Sequence, residues 1–194
     1  IDVEAYNYIS NSTLVKPSKT SYKYGEALDL KGGKLDFTWK SGNMTNTSLT
    51  TDMVSGYSAT KLGTQTITVK YNAKYALSDG NTVTDTITKT FTVSVDNEAK
   101  SIEITPPSKT QYNYGSKLEL AGGKISVRYA DGTTENVTMT ADMITENDGS
   151  TVNMSPDVTS FVDNKYSKTL KISYTEDEAT KTVNYPITII NDIK

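Results

Sequence analysis

The sequence contains no cysteine and no histidine among its 194 residues. The missing cysteines leave no disulfide to support a small core, and zinc sites need cysteine or histidine in most cases. The missing histidines remove the usual general base of a nucleophilic triad. The chain is therefore predicted not to be an enzyme, and its lack of cysteine is more typical of a bacterial or cytosolic protein than of a secreted eukaryotic domain.

Charge excess and long apolar runs are also lacking. The net charge is −3, from 20 basic and 23 acidic residues, and no basic patch stands out. Nucleic acid is therefore not an expected partner. No apolar run approaches the roughly 18 residues that a membrane-spanning helix requires, so no membrane insertion is predicted for this fragment. The chain has neither an initiator methionine nor a signal peptide, which indicates a piece of a longer protein; we expect it to be a monomer.

What the sequence does have is an internal repeat. The stretch "PSKTSYKYGEALDLKGGKL" from Pro17 returns as "PSKTQYNYGSKLELAGGKI" from Pro107, and 17 of the 37 residues from Pro17 to Met53 are identical at an offset of 90. A period near 90 suits a small independent domain rather than a solenoid repeat. Two domains are predicted, 1–97 and 98–194, with the boundary in the polar segment Asp96–Lys100.

Both copies have the composition and periodicity of β-strands. Ile125, Val127 and Tyr129 alternate with polar residues up to a turn at Asp131-Gly132, and the same pattern recurs throughout both copies. About seven short strands per copy, with turn signals between them, predict an all-β protein of two tandem Ig-like β-sandwich domains. In the first copy, Leu35, Phe37 and Trp39 occupy the positions of Ile125, Val127 and Tyr129.

Trp39 is the only tryptophan. It follows the alternation of Phe37 and occupies the position of Tyr129 in the other copy. It is therefore predicted to be a core residue rather than an exposed ring that stacks on a sugar.

The repeated motifs resemble a known family. The order P-S-K-T-x-Y-x-Y-G, L-x-L-x-G-G and T-x-D-M, together with the stretch from Gly56 to Tyr71, resembles the bacterial immunoglobulin-like domain of group 3. The resemblance implies tandem Ig-like sandwiches in secreted or wall-anchored proteins of Gram-positive bacteria. The family brings no shared catalytic residues, so none are assigned.

Together with the internal repeat, this resemblance implies a non-catalytic extracellular module of a bacterial cell-surface protein, acting as a stalk, a spacer or an adhesion domain. The alternative is a pair of accessory domains, with carbohydrate binding as a role, beside a secreted polysaccharide-active enzyme. The expected location is extracellular, at the cell surface or secreted. The expected partner is a host or bacterial surface protein or a glycan.

The candidate binding segment is an insertion in the second copy, near 144–168. Met143 and Thr169 are 26 positions apart, whereas their counterparts Met53 and Thr66 are 13 apart. Loops on a rigid scaffold carry binding more often than the scaffold does. The alternative is that the insertion only adds or covers an edge strand. The predicted ligand-binding residues are Phe161, Tyr166, Asp157, Asp163 and Lys165.

No cofactor is predicted, although some oxygen-rich loops would suit calcium. These loops lie at Asp79–Asn81, Asp96–Glu98 and Glu146–Ser150. None has the spacing of an EF-hand, and turn chemistry is the favoured explanation of each of them. The acidic run Glu176–Glu178 is interpreted as a hairpin tip with solvated charge.

Overall fold

The structure, a computed structural model, describes residues 7–191. This part of the chain contains 14 strands and three short 3-10 turns. Its contacts divide into two compact units, 1–97 and 98–194. Each unit consists of two facing sheets, and the predicted fold class, two Ig-like β-sandwiches, is confirmed.

The first unit contains seven strands and one 3-10 turn at Thr51–Met53. One sheet has the order β1-β3-β4, and the other has the order β2-β7-β6-β5. The strands are β1 (Ile9–Val15), β2 (Ser21–Lys23), β3 (Lys34–Trp39), β4 (Met44–Ser48), β5 (Val54–Ser55), β6 (Gly63–Ala76) and β7 (Thr82–Asp96).

The second unit repeats this arrangement with the sheets β8-β10-β11 and β9-β14-β13-β12. Its 3-10 turns lie at Ala141–Met143 and Val158–Ser160. The strands are β8 (Ala99–Thr105), β9 (Gln111–Asn113), β10 (Lys124–Tyr129), β11 (Thr134–Val137), β12 (Ile144–Thr145), β13 (Lys165–Glu176) and β14 (Ala179–Ile190).

The core of each unit is built from the residues that the alternation points inward. Leu35, Ile67 and Val69 are fully buried in the first unit, as are Ile125 and Leu170 in the second. Successive side chains of a strand face opposite sides of the sheet, so every second residue reaches the core. The two cores share no residue, because each is formed within its own unit.

A three-residue strand closes each sandwich. β2 runs parallel to β7, with Ser21 opposite Ser94 and Lys23 opposite Asp96, and β9 pairs with β14 in the same way. The ring of Tyr22 is 2% exposed, and its hydroxyl donates to the carbonyl of Lys19 or Asp29 at 3.0 or 3.1 Å. The short strand is therefore held both by its ladder and by a buried side chain.

Pro186 lies in β14 where the strand has no second neighbour. The N–H of Thr188 donates to the carbonyl of Thr110 at 2.8 Å, and Pro186 faces the same side two residues earlier, before β9 begins. Its missing N–H therefore costs no ladder bond, as is usual for proline at the edge of a sheet.

The prediction that Trp39 is a core residue is wrong. Trp39 and Tyr129 do occupy equivalent strand ends, but both are only half-buried. The Trp39 indole N–H donates to the Thr45 hydroxyl at 2.8 Å, and its ring meets Tyr75 edge to face at 6.3 Å. The alternation continues up to Trp39, but the strand ends there, at the margin of the facing sheet.

The second unit fills the same place with a polar contact. The hydroxyl of Tyr129 donates to Glu176, and the hydroxyl of Tyr174 donates to the other oxygen of that carboxylate at 2.7 Å. The hydrogen bond to Glu176 raises the pKa of Tyr129, and the same cause raises the pKa of Tyr174 to about 12. Glu176 is thus half-buried and bonded, and its interpretation as a solvated charge is wrong.

No helix long and apolar enough to cross a membrane occurs in residues 7–191.

The separate cores lead to a prediction about stability. Phe37 is 3% exposed in the first unit, so Phe37→Ala should lower the free energy of unfolding of that unit by about 3–5 kcal/mol. Because Trp39 is the only tryptophan, its fluorescence during urea denaturation reports on the first unit alone.

The matched control is Val127→Ala, at the equivalent buried position of the second unit. It should leave the Trp39 transition unchanged while lowering the stability of the second unit. An equal shift of the fluorescence midpoint by both variants would show that the units do not unfold separately.

Candidate functional site

The insertion of the second unit forms one long loop between β12 and β13. Pairing partners place Val54 at the position of Ile144 and Gly63 at the position of Tyr166. Residues 146–165 therefore stand where residues 56–62 stand in the first unit, which gives the 13 extra positions that the sequence indicates. This loop is called the 146–165 loop below.

In the first unit, one buried amide holds the short loop. Gln65 is 4% exposed, and its Oε1 accepts from the backbone N–H of Ser58 at 2.8 Å. Its Nε2 donates to the carbonyls of Ser58 at 2.8 Å and Lys61 at 2.5 Å. A single side chain on β6 thus satisfies both backbone groups of Ser58.

In the second unit an ion pair makes the equivalent contacts. Lys168 occupies the position of Gln65, and its Nζ donates to the carbonyl of Asn153. Glu146 accepts from the N–H of Asn153 at 2.8 Å and from Lys168 at 2.5 Å. The side chains of Lys168 and Glu146 are only 10% and 21% exposed. The side-chain amide of Gln65 both donates and accepts in the first unit. In the second unit, the Lys168 ammonium takes the donor role and the Glu146 carboxylate takes the acceptor role.

The first part of the 146–165 loop is a tight turn. The N–H of Glu146 donates to the carbonyl of Ser150 at 2.9 Å, and Gly149 has a φ of 86°. Asp148 accepts from both the hydroxyl and the N–H of Ser150, and these bonds lower the pKa of its carboxyl. Turn chemistry therefore accounts for the oxygens of Glu146–Ser150.

The last part of the loop packs an aromatic pair on the core. Phe161 lies between Tyr114 and Tyr166, with ring centroids 6.1 and 5.8 Å away. All three rings are half-buried against the core of the second unit. The two predicted aromatic residues are therefore brought together, but as cover for the core.

The three charged candidates lie on the exposed side of the loop. Asp157 caps the turn at Val158–Ser160 by accepting from the N–H and hydroxyl of Thr159, and the bond from that hydroxyl lowers the pKa of Asp157. Asp163 sits in a two-residue turn at φ 48°, and Lys165 follows that turn as the first residue of β13. Whether these five residues bind a ligand stays a prediction.

Sequence reasoning missed two features of this loop. The ion pair of Glu146 and Lys168 was not foreseen, since the two residues are 22 positions apart and no pattern links them. Val158 and Val162 are 57% and 74% exposed, which makes them the most exposed apolar side chains of the described part of the second unit. A β-branched residue near a turn gives no sequence signal for exposure.

A groove of about 440 Å³ lies beside Pro186. It forms where β14 is not yet covered by β9, and its described lining includes no aromatic ring. Hydroxyl and amide groups can bond a sugar, but a stacking platform is missing from this lining. It is lined by Thr110, Gln111, Ser167, Lys168, Thr169, Pro186, Ile187 and Thr188.

Residues 7–191 contain no group of three or more acidic side chains placed to hold a metal ion. In the oxygen-rich loop Asp79–Asn81, the carboxylate of Asp79 accepts from the N–H and side-chain amide of Asn81 at 2.9 Å each. These bonds lower the pKa of Asp79 and give its carboxylate a turn role.

Comparison with known proteins finds one family match, which lies within the first unit. Residues 15–95 match the family of the bacterial Ig-like domain (group 3). None of the curated proteins matches the chain. The family is generally non-catalytic, and the match indicates a non-catalytic bacterial module of a kind typical of extracellular or surface proteins.

The ion pair of the 146–165 loop yields a second prediction. Lys168→Met should lower the stability of the second unit by about 1–3 kcal/mol, because it leaves the mostly buried carboxylate of Glu146 without its cation. Lys168→Gln should cost less, since Gln65 serves the equivalent position of the first unit. Hydrogen exchange of the Asn153 amide, which Glu146 holds, measures the loss locally.

Lys165→Met is the matched control, because Lys165 is an exposed lysine on the same strand. It should change stability by no more than about 0.5 kcal/mol. Equal losses for the methionine and glutamine variants of Lys168 would contradict the proposed equivalence of Gln65 and Lys168.

Proposed function

We propose that the chain is a load-bearing spacer of a bacterial cell-surface protein. The family match and the repetition of one sandwich in tandem support a module that extends a protein by adding copies. The observation that carries the proposal is the parallel pairing of β2 with β7, and of β9 with β14, within the respective units.

Parallel pairing of an early strand with the last strand suits tension. Once β1 has been pulled from β3, the load passes to β2 and to the end of β7. A pull on the beginning of one parallel strand and the end of the other slides the strands along each other. All bonds of the ladder are then loaded together, whereas antiparallel strands pulled from one end separate one bond at a time.

The ladder predicts a specific mechanical defect. The N–H of Ser94 donates to the carbonyl of Thr20 at 2.9 Å, and its hydroxyl donates to the hydroxyl of Ser21 at 3.2 Å. Ser94→Pro therefore removes these two bonds on the β2 side of β7 without removing a bond to β6. Pulling the chain between its ends in a force spectrometer should show a lower unfolding force for one of its two units. The loss of equilibrium stability should be about 1–2 kcal/mol, the value of the two hydrogen bonds removed.

Thr92→Pro is the matched control for this experiment. Thr92 faces the same side of β7 but lies before its pairing with β2, and β14 already carries a proline at the equivalent position 186. It should leave the unfolding force unchanged. The load-bearing role fails if the two proline variants weaken the unit equally, or if neither does.

We also propose that any ligand of the chain is held by the 146–165 loop. Val158 and Val162, the two large apolar side chains that this loop exposes, support this second role as a surface that a protein partner or the apolar face of a sugar would cover. Asp157, Asp163 and Lys165 surround them in sequence and add polar groups. Phe161 and Tyr166 would contribute indirectly, by packing the loop against the core of the second unit.

A loop exchange tests this role. Residues 146–165 are replaced by residues 56–62, and Lys168 by glutamine, so that the short loop receives the amide that holds it in the first unit. The exchanged protein should fold with unchanged circular dichroism and lose binding on a glycan array and to purified host surface proteins. Retained affinity for a measured ligand in the folded exchange would place the site elsewhere.

A further inference from the structure

One edge of β7 is open along most of its length. β6 pairs with β7 on one side from Thr82 to Val95, whereas β2 covers the other side only from Ser94 to Asp96. The N–H of Ser94 points to the side of β2, so the N–H groups of every second residue back to Thr82 point to that side too. Within residues 7–191 no strand pairs with this stretch. An open edge of this kind is a template for another strand.

The open edge reads symmetrically about Ile87. The sequence from Thr82 to Thr92 is "TVTDTITKTFT", with threonine at every even position. Residues at equal sequence separations before and after Ile87 match in type. An apolar residue is matched by an apolar residue, and the single acidic residue is matched by the single basic residue. The counterparts are Thr86 with Thr88, Asp85 with Lys89, Thr84 with Thr90, Val83 with Phe91, and Thr82 with Thr92.

This symmetry is what antiparallel pairing of two identical strands requires. A twofold axis at Ile87 places each residue opposite its counterpart in a second copy. The even residues, whose N–H groups point to the open side, then form the hydrogen-bonded pairs of the ladder. The paired stretch begins at the hairpin turn and ends just before β2, so the open edge of one copy covers the open edge of the other.

Charge favours the same register. Asp85 of each copy lies opposite Lys89 of the other, and opposite charges across a strand pair are attractive. Within its own chain Asp85 is opposite Ala73 and Lys89 is opposite Val69 on β6. Neither charge forms an ion pair within residues 7–191. In this register, β7 of the second copy also covers Val83, which is 44% exposed.

The corresponding edge of the second unit is shorter and contains a proline. Its equivalent hairpin is shorter, since β13 ends at Glu176 and β14 begins at Ala179. Pro186 interrupts the row of N–H groups on the open side of β14. Proline commonly protects an edge strand from pairing. β14 has this protection, whereas the open edge of β7 does not.

We propose that β7 is a self-pairing edge, through which two copies of this chain join antiparallel with Ile87 on the twofold axis. Self-pairing departs from the monomer expected from sequence. Two paired strands bury less than the surface of a standard stable interface, so the dimer is weak in dilute solution. It forms where copies are held at high local concentration, as neighbours on one surface are.

Charge exchange tests the register with the full chain. The unaltered chain should dimerise in sedimentation equilibrium as its concentration rises from micromolar to millimolar at low salt. Asp85→Lys and Lys89→Asp should each weaken the dimer at least about tenfold, because each places like charges opposite each other twice. An equimolar mixture of the two variants should restore dimers, since the lysines of one then oppose the aspartates of the other.

A backbone variant gives an independent readout. Thr88→Pro removes an N–H from the open edge and leaves the pairing with β6 intact, so it should abolish the dimer, while Thr88→Val should retain it. Hydrogen exchange at Thr84, Thr86 and Thr90 should slow with concentration in the unaltered chain only. A chain that stays monomeric at millimolar concentration overturns the proposal and leaves the edge to a strand of another protein. Dimers that ignore both charge variants overturn it as well.

Discussion

Each sandwich depends on a strand of three residues. β2 and β9 carry the chain from one sheet to the other, and they attach the first half of a unit to its last strand. No disulfide reinforces this join, because the chain has no cysteine. Tyr22 and Tyr112, each buried within its short strand, bond the backbone before and after it. In the second unit Tyr185 adds its own hydroxyl to Tyr112 at 2.9 Å, where the first unit has Phe91.

The repeat preserves positions of contact more faithfully than residue types. At one loop, the amide of Gln65 is replaced by Lys168 and Glu146, and the same two backbone groups are satisfied. At one strand end, the packing of Trp39 on Tyr75 is replaced by the bond of Tyr129 to Glu176. A backbone group removed from water needs a hydrogen-bond partner, and side chains of different types can supply it.

The strands and the core could be read from the sequence, because a period of two directly reports which side chains face inward. Ile125 and Val127 are fully buried as the alternation requires. Trp39 escaped this rule because periodicity does not reveal where the facing sheet stops. The anchoring of the 146–165 loop escaped it because Glu146 and Lys168 meet only after β13 has folded back. The open edge of β7 depends on the length of β2 relative to β7, which is a property of topology and not of any local pattern.

The absence of disulfides has a consequence for a unit placed under tension. When the β2 ladder gives way, no disulfide retains part of the chain, so the whole of a unit can straighten. At about 3.3–3.6 Å per extended residue, the 97 residues of the first unit correspond to a contour length of about 320–350 Å. Because no disulfide has to re-form, the return to the folded state needs no oxidant. In the load-bearing role proposed above, each unit would serve as a reserve of length that force releases and folding recovers.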